Sequence, residues 1–113
     1  MTALERYVRK VADLMRLGEW DITVTYTKDD VEGRMDVDEW FAGPARLELN
    51  RQYWKNKCLT SRRWLVVHEM MHLHLKPFAY RHKVEEIAEE IMVDRLTGII
   101  APHMPLPPKV AKA

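Results

Sequence analysis

The N-terminal part of the chain has the hydrophobic spacing of a helix. Four apolar residues recur at intervals of three or four: Leu4, Val8, Val11 and Met15. This spacing predicts a first helix with one buried face. Thr2 followed by Glu5 matches a capping box and predicts where the helix begins. Gly18 is expected to end it.

Apolar and polar residues alternate in the next part of the chain, which is typical of strands with one buried face. The first strand has apolar residues at every second position: Trp20, Ile22, Val24 and Tyr26. A weaker second strand contains Met35 and Val37, with Trp40 and Phe41 as its candidate end. The third strand is predicted over residues 45–50. We expect the three strands to form an antiparallel meander.

A helical pattern returns after a connector, residues 51–59, that is rich in basic and aromatic side chains. The helix is predicted over residues 61–76. Thr60 and Ser61 are its candidate N-caps, because their hydroxyls can accept a hydrogen bond from the first turn. Pro77 is expected to stop the helix, because proline has no backbone N–H to continue it.

A second long helix is predicted from Lys83 to Leu96 or Thr97, with Gly98 as its C-cap. The turn before it covers residues 77–82. Five apolar positions are expected on its buried side: Val84, Ile87, Ala88, Ile91 and Leu96. This order of elements predicts an α+β fold, in which a helix and a small sheet precede two long helices.

The composition indicates one globular domain. The chain has 113 residues, of which 47% are hydrophobic and 31% charged, and its formal net charge of +1 gives no global attraction to nucleic acid or anionic lipid. We expect a single domain over residues 1–101 and an extended, partly mobile proline-rich tail over residues 102–113. One cysteine, Cys58, and no apolar leader segment favour a cytoplasmic protein with no membrane span.

The feature with the most chemical content is His68-Glu69-Met70-Met71-His72, an H-E-x-x-H sequence inside an apolar helix. Two histidines four apart lie on one helix face, about 6 Å apart along the axis, so both imidazoles can bind one metal ion. Glu69 then lies beside the metal as a general base. The sequence therefore predicts a Zn²⁺ site with His68 and His72 as ligands.

A catalytic zinc ion usually has a third protein ligand. His74 is expected to point away from the other two histidines, and His82 lies in the predicted turn. If the two long helices pack antiparallel, the residues level with the motif fall between Glu86 and Glu90. We favour Glu90 as the third ligand, with Glu86 as the alternative. Asp94, one turn after Glu90, is then placed to accept the second N–H of a zinc-bound imidazole.

Other acidic and thiol side chains have simpler interpretations. Glu85 and Glu89 are expected to belong to a solvated face of the second helix. Cys58 precedes the motif helix by too many residues to be a favoured ligand.

The H-E-x-x-H motif followed on the next helix by Glu90 and Asp94 resembles the gluzincin group of zinc metallopeptidases. The chain is also similar to the very small zincin-like proteins of phages and prophages, in a Trp-containing first strand (residues 18–24) and an Ala-initiated strand (residues 45–49) before the motif. The resemblance covers roughly residues 18–97. It implies a minimal zincin-like fold, zinc ligands His68, His72 and Glu90, and Glu69 as general base.

The predicted function is a zinc metallopeptidase, a hydrolase that cleaves a peptide or protein substrate with a metal-activated water. The substrate is expected to add to the edge of the sheet, for which the third strand is the candidate. The alternative is a non-catalytic regulatory or binding module stabilised by zinc. A DNA-associated role is a further alternative, based on five basic residues interleaved with aromatic ones: Arg51, Lys55, Lys57, Arg62 and Arg63.

The resemblance leaves one role without a clear candidate. Larger gluzincins stabilise the oxyanion with a tyrosine or histidine from later helices, and no later domain is expected from this sequence. Tyr80 and His82, in the predicted turn between the two long helices, are candidates by proximity in the sequence alone.

Overall fold

The computed structural model of the protein describes residues 1–38 and 42–109. The elements follow in the order α1 (Ala3–Leu14), β1 (Trp20–Thr27), β2 (Gly33–Val37), β3 (Gly43–Asn50), α2 (Arg51–Asn56), α3 (Leu59–His82), α4 (Glu86–Ile100) and a 3₁₀ helix (Ala101–His103). The predicted α+β class is confirmed. Within the described ranges, no helix has the length and apolar character needed to cross a membrane.

Helix α1 begins as the sequence predicts and ends earlier. The Glu5 amide donates to Thr2 Oγ1 over 3.1 Å, and the Thr2 amide donates to the Glu5 carboxylate over 3.2 Å, so the capping box is formed. The helix ends at Leu14, and Arg16 rather than Gly18 has the positive φ, 62°. The predicted role of Gly18 was wrong, because the chain turns two residues earlier.

The sheet is mixed, so the predicted antiparallel meander was wrong. The strand order is β1-β3-β2, with β3 parallel to β1 and antiparallel to β2. Strand β3 occupies the centre, and its inward residues Ala45, Leu47 and Leu49 are accordingly at most 2% exposed. Alternation identifies the buried face of a strand but not its neighbours. The proposed extension of β2 to Trp40 and Phe41 lies outside the described residues.

The prediction that β3 is the edge strand for a substrate was wrong, because β3 is paired on both sides, whereas β2 has an open edge. The Asn50 amide donates to the Glu32 carbonyl over 3.0 Å, in register with the β2–β3 pairing. Hydrogen-bonded and non-hydrogen-bonded pairs alternate in antiparallel strands. Gly33, Met35 and Val37 therefore direct their backbone groups away from β3, towards the open edge.

Helix α3 is longer than predicted at both ends. It begins at Leu59, with Cys58 at the N-cap position, so Thr60 and Ser61 lie in its first turn. It continues through Pro77 to His82 and ends where Lys83 has a left-handed φ of 54°. Proline removes only one helical hydrogen bond, and the helix continues beyond it for another turn and a half. The predicted stop at Pro77 was wrong.

Helix α4 is shifted towards the C-terminus and rotated relative to the prediction. It begins at Glu86 and ends at Ile100, so Gly98 lies inside the helix and is not its cap. Its buried residues are Glu89, Val93 and Thr97. Of the five positions predicted to be buried, Ile87, Ala88 and Ile91 are exposed and Leu96 is only partly buried. The fifth, Val84, precedes the helix. The apolar pattern therefore did not identify the face that contacts the protein.

Helix α3 forms the centre of the core. Its fully buried residues Val66, Val67 and Met70 belong to one cluster that also contains residues of α1, β3 and α4. The start of the C-terminal tail packs against the domain as well. The Tyr7 hydroxyl donates to the Pro105 carbonyl over 2.7 Å, which places this part of the tail on α1.

The core supports a prediction about stability. Leu47, at the centre of the sheet, is 0% exposed. Leu47→Ala should lower the free energy of unfolding by about 2–5 kcal/mol, because it removes buried methyl groups and leaves a cavity. Leu14→Ala is the control, since Leu14 is 51% exposed at the end of α1. Urea unfolding measures both, and equal losses would contradict this description of the core.

Candidate metal centre

The H-E-x-x-H residues lie in the buried middle of α3. His68, Glu69 and His72 are 9%, 5% and 9% exposed. The two imidazole rings are neighbours on the helix face, with centroids 5.1 Å apart. Burial of three polar side chains in one apolar segment costs free energy unless other groups satisfy them. Helix α4 supplies carboxylates beside the two histidines, and the Met35 backbone of β2 donates a hydrogen bond to Glu69.

Glu90 of α4 lies against both histidines. One of its carboxylate oxygens is 3.4 Å from His68 Nε2, and the other is 2.9 Å from His72 Nε2. Glu69 is 3.9 Å from His68 Nε2 at its closer oxygen. Glu86, the alternative third ligand, is exposed in the first turn of α4, and neither group of candidate ligands found among the described residues contains it. The geometry therefore favours Glu90 over Glu86, and it leaves Glu69 as the buried carboxylate beside the donors.

The antiparallel register of α3 and α4 agrees with the expectation although both helix boundaries were wrong. His72 lies beside Glu90, and His68 lies beside Asp94, so the contacts run in opposite directions along the two helices. Helix α3 extends six residues past its predicted end at residue 76, and α4 begins three residues after its predicted start. The three residues between the helices return the chain alongside α3, which restores the register.

Each histidine has a carboxylate at its second ring nitrogen. Asp94 Oδ1 is 3.2 Å from His68 Nδ1, at ion-pair distance but without the alignment of a hydrogen bond. Glu89 Oε2 is 2.8 Å from His72 Nδ1 and is hydrogen-bonded to it. The sequence had assigned Glu89 to the solvated face of α4, and this was wrong, because Glu89 is only 6% exposed. The available signal was its spacing of four and eight residues from Val93 and Thr97.

The histidine and carboxylate side chains are placed so that they could hold a metal ion. Two groups of candidate ligands share His68: one contains Glu69 and His72, and the other contains Glu90 and Asp94. Tetrahedral ligands at Zn–N and Zn–O distances of about 2.0–2.1 Å lie about 3.3 Å apart. The distances of 3.4 and 2.9 Å from Glu90 to the two Nε2 atoms are close to that value. Two nitrogen donors and one carboxylate are also a common set for catalytic zinc.

Burial changes the proton affinity of the central groups. Desolvation raises the pKa of Glu69 from 4.5 to about 7, and Glu90 adds to this rise, whereas His72 and the Met35 backbone amide oppose it. Desolvation also lowers the pKa of His68. A neutral imidazole is the form that binds a metal, and a carboxyl group that titrates near neutrality is suited to accept and return a proton.

A cleft of about 530 Å³ opens beside these residues. Strand β2 forms one side of it through Gly33 and Met35, and α3 forms the other through Glu69 and Lys76. The indole of Trp64 stacks on the imidazole of His68, with ring centroids 4.7 Å apart, and covers that ring at the cleft. The donors therefore border a space that also borders the open edge of β2.

The remaining histidines and the cysteine lie elsewhere. His74 Nε2 is 2.6 Å from the Met15 carbonyl, which agrees with its expected role in packing or hydrogen bonding. His82 packs on Phe78 near the end of α3, and neither His82 nor Tyr80 lines the cleft. Cys58 is exposed at the start of α3, where hydrogen bonds from Ser61 and Thr60 lower the pKa of its thiol to about 6.

Most of the basic residues considered for DNA contact bind other residues of the protein instead. Arg62 is 6% exposed and donates to the Trp54 and Lys55 carbonyls, while Arg63 donates to the Met104 carbonyl. Lys57 pairs with a glutamate of the loop before β2, and Arg51 lies over an aromatic ring of β1. These contacts weaken the case for a phosphate-binding surface.

Comparisons with known proteins do not assign this chain to a family. No protein-family model, curated protein or solved structure matches this chain. The resemblance to zincin-like metallopeptidases expected from the sequence therefore stays a prediction.

Proposed function

We propose that the protein is a zinc-dependent peptidase. The observation that carries the proposal is the position of Glu90, whose two carboxylate oxygens reach His68 and His72 from a second helix. The buried Glu69 lies beside these three donors, and a cleft borders them. A structural zinc site would be expected to have four protein ligands and no adjoining space.

In this proposal His68, His72 and Glu90 hold the ion. When bound, Zn²⁺ acidifies a water molecule and polarises the carbonyl group of a substrate. Glu69 accepts the proton of the attacking water and returns it to the leaving amine. In the metal-free protein the pKa of Glu69 is raised to about 7, and a bound cation would lower it again and so favour the carboxylate that accepts the proton. Trp64 limits the access of solvent to one side of His68.

The open edge of β2 is the proposed site for an extended substrate. The backbone groups of Gly33 and Met35 point away from β3, and both residues line the cleft. The Met35 amide is hydrogen-bonded to Glu69, so an added strand would use the remaining backbone groups of this edge and would bring a peptide bond alongside Glu69. The amide of Met35 lies close enough to Glu69 to lower its pKa, which shows how near this edge is to the base.

The competing hypothesis is a non-catalytic module in which zinc only ties α3 to α4. It would give the same metal content, so it is distinguished from a peptidase by hydrolysis. Glu69 also belongs to a group of candidate ligands with His68 and His72, so a structural site could use it as a ligand. Loss of hydrolysis with retained zinc binding in Glu69→Gln would support the catalytic hypothesis.

Glu69→Gln tests the catalytic proposal. The amide cannot accept the proton of water, so hydrolysis of unstructured protein substrates by the zinc-loaded protein should fall by about 10²–10⁴-fold while zinc remains bound. Activity is measured by peptide release, and zinc content by elemental analysis. The Glu85→Gln variant, at an exposed position at the start of α4, serves as the control. Undiminished hydrolysis by Glu69→Gln would overturn the mechanism.

The third ligand is tested by zinc affinity. Glu90→Gln replaces a carboxylate donor with a neutral amide and should weaken zinc binding by at least about 10-fold. Glu86→Gln changes the same chemistry one turn earlier on α4 and should leave the affinity within about twofold. Competition with a chromophoric chelator measures both. The opposite result would assign the ligand to Glu86.

The pKa of Glu69 predicts a pH dependence in metal-free protein. Because the folded-state pKa is raised from 4.5 to about 7, the folded protein holds this proton more tightly than the unfolded chain. The resulting stability is fully present below the unfolded pKa and is lost as pH rises through the folded one. Relative to Glu69→Gln, wild-type stability should fall by about 3 kcal/mol across that range.

Urea unfolding in the presence of a chelator measures this difference at several pH values. The pKa of His68 is also shifted, but His68 is present in both proteins, so its contribution cancels to first order. A wild-type-minus-variant difference that did not change between about pH 4.5 and about pH 7 would contradict the assigned pKa of Glu69.

A further inference from the structure

Glu89 is a charged residue in a position that the fold would otherwise fill with an apolar side chain. It begins the buried stripe of α4, which continues with Val93 and Thr97 at intervals of four residues. Glu89 is 6% exposed, whereas both of its glutamate neighbours along the helix, Glu86 and Glu90, are exposed. A buried carboxylate costs free energy unless it is paired, so its partners indicate why it is there.

The partners of Glu89 are one metal-binding candidate and one lysine. Oε2 accepts a hydrogen bond from His72 Nδ1 over 2.8 Å. Oε1 accepts a hydrogen bond from Lys76 Nζ over 3.1 Å. Lys76 lies one helical turn after His72, so the two donors approach the carboxylate from the same face of α3. His72, Glu89 and Lys76 thus form a connected row from the donor cluster into the helix interface.

We propose that Glu89, held in place by Lys76, is a positioning residue that orients the imidazole of His72 for metal binding. This inference rests on the proposed zinc site. With the Nδ1–H donated to Glu89, Nε2 is the nitrogen left to bind a metal ion, on the side where Glu90 lies 2.9 Å away. Lys76 Nζ lies 3.1 Å from both oxygens of Glu89 and so holds the carboxylate next to the imidazole of His72.

A purely structural pair would behave differently from a positioning pair. Replacing both partners of a buried ion pair with apolar residues of similar size is often neutral or stabilising for the fold. The same replacement removes the acceptor at His72 Nδ1, and loss of such an acceptor typically weakens metal binding by about 10–100-fold. Stability and metal affinity therefore separate the two roles.

The test uses the double variant Lys76→Met/Glu89→Leu of the full chain. We expect its zinc affinity, measured by competition with a chelator, to fall by about 10–100-fold. Its thermal unfolding without metal should occur at the same temperature as that of the wild type or higher. With Co²⁺ in place of zinc, the visible d–d absorption bands should shift, because the geometry at His72 is no longer held.

Two further variants complete the experiment. Glu89→Gln keeps the shape and one acceptor oxygen, so its affinity should lie between those of the wild type and the double variant; this comparison remains decisive if the double variant does not fold. Glu85→Gln removes an exposed charge that makes no capping hydrogen bond at the start of α4, and it should bind zinc as the wild type does.

Unchanged zinc affinity and an unchanged Co²⁺ spectrum in the folded double variant, or wild-type affinity in Glu89→Gln, would overturn the inference. Either result would leave the proposed peptidase intact, because hydrolysis and its dependence on Glu69 are measured separately. Conversely, a protein that binds zinc with the predicted dependence on Glu89 and hydrolyses nothing would retain this inference and lose the proposed function.

Discussion

The structure depends on the cost of burying His68, Glu69 and His72 inside the apolar middle of α3. Three polar side chains in such a segment must find partners, and water is largely excluded from them. The carboxylates of Glu89 and Glu90 provide the partners for His72, and they come from one neighbouring helix. The docking of α4 is therefore decided by polar contacts at least as much as by apolar ones.

This constraint explains why α4 has an unusual surface. A helix that packed by its apolar residues would bury Ile87 and Ile91, yet these are 74% and 48% exposed. The face towards α3 instead begins with Glu89 and continues with Val93. Rotating the helix to bury the isoleucines would separate Glu89 and Glu90 from the histidines. The helix therefore buries less apolar surface than it could, and its carboxylates lie beside the buried histidine His72 of α3.

The sheet places the remaining part of the candidate site. Because β3 lies between β1 and β2, the open edge beside α3 belongs to β2. Its short length and its pairing on one side only leave Gly33 and Met35 with backbone groups directed at the cleft. The proposed base, Glu69, and the proposed substrate edge are thus brought together by two elements that are 34 residues apart in the chain, counted from Met35 to Glu69.

By itself, the sequence determined the features that depend on neighbours along the chain. The capping box at Thr2, the alternation of β1 from Trp20 to Val24 and the spacing of His68 and His72 are local, and the structure contains each of them. Tyr26, predicted on the same buried face, is 46% exposed. Only the tertiary structure decided the order of the strands, the passage of α3 through Pro77 and the rotation of α4 that buries Glu89. Those outcomes depend on which surfaces meet, and a residue pattern along one element does not specify its partner.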